Sequence, residues 1–187
     1  QDREGNFWFG TDGFGISKFS GEAFVSYSSN DSLPGDYITS IFKDSKKNIW
    51  LGVKGCGVEK FQNGKFTNYK LNIKNLNNSL ADNEVLSICE DKQGNIYFGT
   101  MEGLSIFDGV NFHNYKEKDG LPHSVVYSII KDSKGTMWVG TQNGLCYMKD
   151  GKIFAVDVVN KLKSERGNTP FYSIFEDRNR DLWLGTE

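Results

Sequence analysis

The chain has 187 residues, 25% of them charged, and a formal net charge of −2. A chain of this length and composition can bury the core of one globular domain. Its longest basic run is Lys46-Lys47, which argues against nucleic acid or an anionic membrane as a partner. No apolar run reaches the roughly 18 residues of a membrane span. The 21 glycines and the aromatic content of 14% favour short strands joined by tight turns.

One short pattern recurs five times along the chain. Each copy begins with an acid, passes through a turn and reaches an aromatic residue followed two positions later by glycine. The acids are Asp2, Asp44, Asp91, Asp132 and Asp177, and the aromatic residues are Trp8, Trp50, Tyr97, Trp138 and Trp183. A period of about 40 to 50 residues is typical of solenoids, propellers and other repeat arrays. We therefore divide the chain into repeats at 2–43, 44–90, 91–131 and 132–176, with a partial repeat at 177–187.

Each repeat contains four short segments of alternating apolar and polar residues. Pairs such as Asn143-Gly144 and Asp150-Gly151 lie between these segments and are strong hairpin signals. The pattern predicts an all-β fold made of β-propeller blades, each a four-stranded antiparallel meander. Only the stretch 156–167 suggests a short turn of helix.

The aligned columns have structural interpretations. We expect the five aromatic rings to lie on the second strand of each blade and to pack between blades. The five turn acids are interpreted as turn residues that accept backbone hydrogen bonds, because equivalent acids spread around a ring cannot meet as a catalytic pair. Lys47 and Arg180 replace the turn glycine in two copies, so those turns are either strained or different. A serine column is expected where the inner strands crowd together: Ser40, Ser87, Ser128 and Ser173.

Cysteines and histidines form no recognisable site. Cys56, Cys89 and Cys146 fall at three different phases of the repeat, so we interpret them as packing residues rather than disulfide partners or metal ligands. His113, expected to be exposed on a fourth strand, and His123, in a connection, lack metal-binding spacing. We predict no metal site and no cofactor.

The repeat resembles that of the two-component regulator propeller family, and the resemblance covers essentially the whole chain. The matching residues are Ser128-Ile129, Asp132, Gly135, Trp138, Gly140-Thr141 and Gly144-Leu145, preceded by Phe112, Tyr115 and Asp119-Gly120-Leu121-Pro122. The chain departs from the pattern at Val53, which replaces Thr, at Asp157, which occupies the Tyr column, and at 157–170, which lacks a Gly-Leu-Pro.

The resemblance implies both a setting and a function. Proteins of that family have tandem seven-bladed propellers in the periplasm, a β-sandwich, one membrane span and a cytoplasmic histidine kinase or other signalling output. Many are hybrid sensors that respond to oligosaccharides. The chain is then a periplasmic sensor segment, with neighbouring blades or propellers, and a second copy of the protein, as partners. Because 2–11 and 177–186 occupy the same phase of the repeat, we expect a segment of a larger ring rather than a closed four-bladed propeller.

A ligand site is expected at the end of the blades that collects the long connections, since variable loops on a rigid scaffold usually hold binding residues. The tight turns at the opposite end are expected to offer little. The candidate residues are Asp12, Lys54, Glu102 and Gln142 near the axis, with Asp36, Tyr37, Asn83 and His123 beside them. Tyr37 is the only obvious aromatic platform among them. Each of these residues also has the simpler interpretation of a solvated loop residue.

Two other functions compete with ligand sensing. The hairpin from Asp132 to Trp138 also resembles the Asp-box turn of sialidase-type propellers, but that chemistry requires an arginine cluster and a tyrosine nucleophile with an acid partner. Arg3, Arg166 and the pair Arg178/Arg180 do not share one loop face. We therefore predict that the segment is not an enzyme, whether sialidase or lyase. A non-catalytic interaction or dimerisation scaffold remains the alternative.

Overall fold

The computed structural model describes residues 1, 4–31, 33–157 and 169–187. Within these ranges the chain is all-β, with three short 3-10 turns at Ser29–Asp31, Leu76–Asn78 and Glu117–Asp119. The strands of the first and second sheets are β1 Phe7–Gly10, β2 Ile16–Phe19, β3 Phe24–Tyr27, then β4 Ile38–Lys43, β5 Ile49–Val53, β6 Gly57–Gln62 and β7 Lys65–Tyr69. Those of the third, fourth and fifth sheets are β8 Val85–Glu90, β9 Ile96–Thr100, β10 Gly103–Phe107, β11 Phe112–Tyr115, then β12 Val126–Lys131, β13 Met137–Thr141, β14 Gly144–Lys149, β15 Lys152–Val156, and β16 Ser173–Glu176 with β17 Leu182–Gly185.

The strand order confirms the predicted meanders. In the second, third and fourth sheets all four strands pair antiparallel with their neighbours in sequence, while three strands form the first sheet and two form the fifth. The first strands β4, β8, β12 and β16 contact one another in succession. They form the inner edge around which the sheets are arranged, as in the blades of a propeller. The repeat boundaries drawn at the turn acids stay a prediction.

Hydrophobic side chains fill the seams, which we define as the contact surfaces between consecutive sheets. Each seam contains its own cluster of buried residues. Trp50 is 2% exposed and Tyr97 is 7% exposed, so the predicted position of these rings is confirmed. Trp8 and Trp138 are partly buried against the first and fourth seams. Trp183 is 65% exposed on β17, and the prediction that its ring lies in a seam is wrong, because no described sheet covers that face.

The turn acids bind both the turn and the aromatic ring. Asp132 accepts a hydrogen bond from the backbone N–H of Thr136 at 2.7 Å and another from the indole N–H of Trp138 at 3.0 Å. The indole N–H groups of Trp50 and Trp183 donate to Asp44 at 2.8 Å and to Asp177 at 3.0 Å. Burial raises the pKa of Asp132, but the hydrogen bonds from Trp138 and Thr136 outweigh burial and lower that pKa below its usual value. The predicted turn role is thus observed for Asp44, Asp91, Asp132 and Asp177, with the indole bond as an addition, while Asp2 lies outside the described residues.

Lys47 and Arg180 form the same turn as the glycines that they replace. Their φ angles are 72° and 70°, close to the 87° of Gly135. Lys47 donates its backbone N–H to the carbonyl of Asp44 at 3.1 Å, as Gly135 does to Asp132 at 2.9 Å. These two side chains therefore accept a left-handed backbone, which costs a residue with a Cβ more than it costs glycine.

The serine column faces a glycine on the second strand. Ser40 lies opposite Gly52 in the pairing of β4 with β5. A Cβ atom at Gly52 would lie 2.5 Å from the hydroxyl of Ser40 and 2.9 Å from the carbonyl of Val85 on the next sheet. The sheets therefore approach closely at the inner edge because both residues are small.

A side chain at the end of each first strand reaches the turn of the preceding sheet. Glu90 is buried and accepts two hydrogen bonds from Ser45, one from its backbone N–H at 2.8 Å and one from its hydroxyl at 2.7 Å. Glu176 accepts the same two bonds from Ser133, at 2.6 and 2.9 Å. At the alternate positions, Lys43 donates to the carbonyl of Gln1 at 2.8 Å and Lys131 to that of Asp91 at 3.2 Å. The bridging residue thus alternates between lysine and glutamate along the chain.

The remaining sequence predictions have mixed outcomes. Residues 158–167 of the proposed helical turn lie outside the described residues, and Val156 is the last residue of β15. Cys89 and Cys146 are buried in the third seam, which confirms their packing role, while Cys56 is partly exposed; all three are free. His113 lies on β11 with a side chain 57% exposed, as expected.

Candidate functional site

The predicted site at the loop end has its best-defined contacts where the first and second sheets meet. Tyr37 and Asp12 form a β-bridge that joins the two sheets, and the backbone N–H of Lys54 donates to the carbonyl of Tyr37 at 2.9 Å. The ammonium group of Lys54 lies 5.7 Å from the centre of the Tyr37 ring, within the range of a cation–π contact. The ring is 50% exposed and covers Gly13, where an added Cβ would lie 3.4 Å from it. The backbone thus holds an exposed aromatic ring and a cation side by side.

Asp36 and Asn83 hold the connections between sheets. The carboxylate of Asp36 accepts hydrogen bonds from the backbone N–H of Ser29 at 2.6 Å and from its hydroxyl at 2.8 Å. The side-chain carbonyl of Asn83 accepts from the backbone N–H of Leu71 at 2.8 Å. Both residues stand two positions before a first strand and close the loop that leads to it. Their oxygen atoms are therefore already used in shaping the loop end.

Glu102, Gln142 and His123 lie on the third and fourth sheets. The carboxylate of Glu102 lies 3.8 Å from the ammonium group of Lys116, and both side chains are well exposed. The backbone N–H of Gln142 donates to the carbonyl of Val125 at 3.0 Å. His123 accepts a hydrogen bond on Nδ1 from the backbone N–H of Val125 at 3.0 Å, which places its ring proton on Nε2. Of the predicted residues, Asp12, Tyr37 and Lys54 therefore form one compact group. Glu102, Gln142 and His123 form a second set on the third and fourth sheets.

Sequence reasoning missed an aromatic pair at the inner edge. The rings of Tyr127 and Tyr172 lie 4.8 Å apart between their centres, and Tyr172 is 48% exposed. Each stands directly before a residue of the serine column, and Tyr127 lies at the irregularity where the pairing of β12 with β13 shifts register between Val126 and Ser128. The sequence signal was present, because a tyrosine precedes the serine of the column only in these two repeats, where Ser40 and Ser87 follow Thr39 and Leu86.

The described residues contain neither a metal-binding cluster nor a membrane-spanning helix. No group of three or more histidine, cysteine or acidic side chains in this part of the chain is arranged to hold a metal ion. No helix within the described ranges is long and apolar enough to cross a membrane. The loop-end site is therefore defined by an aromatic ring, a cation and loop carbonyl and carboxylate groups.

Comparison with known proteins gives the family. Four segments of the chain match the two component regulator propeller model, at residues 32–55, 79–102, 120–143 and 165–187, and together they make up just over half of the chain. The chain belongs to this family. Each of the first three matched segments of this regulator propeller runs from the connection before a first strand, through the turn acid and the aromatic column, to the turn after the second strand. No curated protein matches the chain in sequence.

Solved structures share the fold of this regulator propeller. The extracellular domain assigned to the hybrid two component system BT3049 of B. thetaiotaomicron superposes with a TM-score of 0.81 at 21% identity, over 100% of this chain and 26% of that one. The corresponding domain of BT4673 gives a TM-score of 0.80 at 21% identity, over 100% of this chain and 24% of that one. Virginiamycin B lyase from Staphylococcus aureus gives 0.75 at 16% identity, over 98% of this chain and 60% of that one. The chain spans about a quarter of the length of the two extracellular domains.

Proposed function

We propose that this regulator propeller is a ligand-sensing segment in the extracytoplasmic region of a bacterial two-component protein. Membership of the two component regulator propeller family supports this function, and the fold shared with extracellular domains of hybrid two component systems is in line with a periplasmic location. The ligand is an oligosaccharide or another polar small molecule. The segment itself is not catalytic, and its immediate partners are the neighbouring blades or propellers of the longer protein, with a homodimer as a further possibility.

The observation that carries the proposal is the junction of Tyr37, Lys54 and Asp12. An exposed ring supplies an apolar face for a sugar, and the cation beside it supplies a hydrogen-bond donor. The carboxylate of Asp12 belongs to the turn that pairs with Tyr37, and it adds an acceptor. An aromatic face with donors and acceptors on one side is the usual arrangement for a polar, ring-shaped ligand.

Signalling from such a site is a shift between two arrangements of the protein. Tyr37 and Asp12 belong to different sheets, so a ligand that contacts both favours one relative position of those sheets. The ligand can shift the equilibrium only by the difference between its affinities for the two arrangements. We expect that arrangement to be transmitted to the rest of the sensor through the neighbouring blades.

A thermal-shift experiment with a panel of oligosaccharides tests the proposal. A ligand at 100 times its dissociation constant stabilises the folded state by about 2.7 kcal/mol, so the melting temperature rises measurably. Tyr37→Ala and Lys54→Ala should each reduce that rise while leaving the circular dichroism spectrum unchanged. Lys46→Ala is the matched control, because Lys46 is exposed in the turn at the opposite end of the same sheet. Unchanged affinity in both site variants would contradict this location of the site.

A protein-interaction or dimerisation scaffold is the second candidate. Aromatic rings are exposed on the two outermost sheets, with Phe24 at 65% on the first and Phe175 and Trp183 at 65% each on the fifth. Rings of this size are rarely left in water on a contiguous surface unless another protein surface covers them. Gel filtration with light scattering separates the two functions. A scaffold elutes as a dimer or complex and shows no thermal shift with oligosaccharides.

A further inference from the structure

A cleft lies at the turn-acid end of the described part of the chain, opposite the loop-end site. It has a volume of about 790 Å³ and is bounded by the third and fourth sheets. Ligand sites in proteins usually have volumes of about 300 to 1,000 Å³. Its walls come from the turns of both sheets, including Asn95 and Asp108 on one side and Thr136 and Asp150 on the other. The expectation that this end offers little is therefore incorrect in the third seam.

The first and second seams show how this position is normally filled. In the second seam, Trp50 of the second sheet packs against the ring of Phe107 of the third sheet at 6.1 Å, and Lys60 lies over the indole at 5.5 Å. The first seam repeats the arrangement, with Trp8 against Phe61 at 5.4 Å and Lys18 over the indole at 5.8 Å. A tryptophan covered by a lysine thus faces a phenylalanine in both seams.

The third seam has smaller residues at three of the six corresponding positions. Each seam is bounded by one row of paired residues from the earlier sheet and one row from the later sheet. The earlier sheet contributes Trp50, Lys60 and Thr67 to the second seam and Tyr97, Ile106 and His113 to the third. The later sheet contributes Ile96, Phe107 and Phe112 to the second seam and Met137, Met148 and Ile153 to the third. A phenol replaces an indole, and two aliphatic side chains replace two phenyl rings. The space that the rings occupy in the second seam is therefore open in the third.

A histidine and a carboxylate stand together at the mouth of the cleft. Nε2 of His113 lies 3.2 Å from Oδ2 of Asp108. The other oxygen of Asp108 accepts backbone N–H bonds from Val110 at 2.8 Å and Asn111 at 2.7 Å, and these bonds, with His113, lower the pKa of Asp108 to about 2. Because the ionised carboxylate can only accept, Nε2 of His113 carries a proton and donates the hydrogen bond to Asp108. Nδ1 of the neutral ring is then the nitrogen that can accept a hydrogen bond.

The lining of the cleft indicates the class of ligand. The floor contains Tyr97, Ile106, Met137 and Met148, which are all nearly buried and mostly apolar. The lining contains two ammonium groups, Lys134 and Lys149, and three carboxylates, Asp91, Asp108 and Asp150. The one excess negative charge disfavours an anion, and mixed donors and acceptors above an apolar floor suit a neutral ring with one apolar face and several hydroxyl groups.

We propose that this third-seam cleft is a second binding site, which takes a neutral sugar residue with its apolar face on Met137 and Met148 and its hydroxyl groups toward His113 and the rim. The site is separate from the loop-end site, and it does not depend on the sensor function proposed above. The two sites are distinguished by the variants that affect each of them.

A glycan array of neutral and anionic oligosaccharides, probed with the wild-type chain, is the first test, followed by calorimetry with the best neutral binder. His113→Ala should weaken binding at least tenfold, and its exposed side chain makes a folding defect unexpected. Tyr97→Trp should abolish binding and raise the melting temperature, because the larger indole fills the cleft as it fills the other seams and can donate to Asp91 in place of the phenol hydroxyl. His123→Ala is the matched control, since it removes an imidazole from the loop end instead.

The variants of the two sites separate the possible results of the binding experiment. Binding of a neutral glycan that both cleft variants weaken, and that Tyr37→Ala and Lys54→Ala leave unchanged, supports the second site. Three results overturn it: no neutral glycan bound at millimolar concentration, binding only of anionic glycans, or neutral binding that the cleft variants do not change. A glycan lost only in Tyr37→Ala and Lys54→Ala overturns the second site and supports the loop-end site.

Discussion

The second and third seams are built from the same aligned positions and differ in how those positions are filled. In the second seam Trp50 lies among the rings of Tyr69, Phe98 and Phe107, with centres 5.6 to 6.1 Å away. In the third, Tyr97 faces methionine and isoleucine side chains beside a cleft of about 790 Å³. Both seams are closed at the inner edge by a glycine opposite a serine, Gly52 with Ser40 and Gly99 with Ser87.

The difference shows how a repeat fold can hold a cavity without losing its architecture. The inner strands and the turns fix each sheet, since Asp91 still accepts backbone N–H bonds from Gln93 at 2.8 Å and Asn95 at 2.9 Å although no indole is present. The outer part of a seam is then free to vary in volume. We therefore expect the filled seams to contribute more to stability than the third seam, which contains the cleft.

Removing the indole of the second seam should have the largest effect. Trp50→Ala should lower the free energy of unfolding by about 3–5 kcal/mol, the usual cost of deleting a fully buried large ring. Trp50→Tyr, which introduces the residue of the third sheet, should cost about 1–3 kcal/mol. Urea denaturation followed by circular dichroism measures both. If Tyr97→Ala cost as much as Trp50→Ala, the third seam would be as tightly packed as the second.

Breaking the bridge across the second seam should have the next largest effect. Glu90→Ala should cost about 1–3 kcal/mol, because it leaves the N–H and hydroxyl of Ser45 without their acceptor. The matched change across the third seam is Lys131→Ala, which should stay within about 0.5 kcal/mol because that side chain is exposed. A double-mutant cycle of Ser45→Ala and Glu90→Ala measures the coupling directly. Equal losses for Glu90→Ala and Lys131→Ala would show that the carboxylate has no special role.

A buried carboxylate in the first seam should make stability depend on pH. Glu59 is 2% exposed, and burial raises its pKa, although a hydrogen bond from Asn68 opposes the rise. A raised pKa means that the folded state binds the proton more tightly than the unfolded state, so this group stabilises the fold as pH falls toward its ordinary value of 4.5. Glu59→Gln should therefore gain on the order of 1 kcal/mol near pH 7, and the gain should shrink as the pH falls toward 4.5. A pH-independent difference between the two proteins would contradict this assignment.

Thiol labelling should give the smallest effect, a difference in rate with no change in stability. Cys89 and Cys146 both lie in the third-seam cluster, and burial raises the pKa of both thiols, that of Cys146 to about 12. Because the thiolate is the reactive form, both should react slowly with iodoacetamide at pH 8, while the partly exposed Cys56 reacts first. Mass spectrometry of tryptic peptides follows the three sites. Fast labelling of Cys89 or Cys146 would mean that the third seam opens beyond the cleft.

The sequence predicted those parts of the fold that depend on local pattern. Hairpin signals and the acid at each turn define the strands, because each depends on a few neighbouring residues. The period of 40 to 50 residues defines the sheets, because the same local pattern recurs along the chain. The bridge from Glu90 to Ser45 and the indole bonds to the turn acids were not predicted. The first joins residues 45 positions apart, and the second needs the ring to turn back toward its own hairpin.

The candidate sites were predicted less completely. Tyr37 and Lys54 were both among the predicted loop residues, but their contact was not predicted. The oxygens of Asp36 and Asn83 are engaged in closing loops, which depends on how each connection folds back. The third-seam cleft was missed although its cause is visible in the sequence. In the sequence, Tyr97, Met148 and Ile153 look like ordinary core residues. Only the strand register shows that Tyr97 on the third sheet and Met148 and Ile153 on the fourth sheet face the same seam.

The alternation of Lys43, Glu90, Lys131 and Glu176 at the inner strands has a consequence for how such a protein can change in length. Loss of the third sheet alone, for example, would place Lys131 opposite Ser45 and remove Glu90, the acceptor of both Ser45 hydrogen bonds. Loss or gain of two adjacent blades would preserve every match. We therefore expect the protein to tolerate the loss of two adjacent blades better than the loss of one.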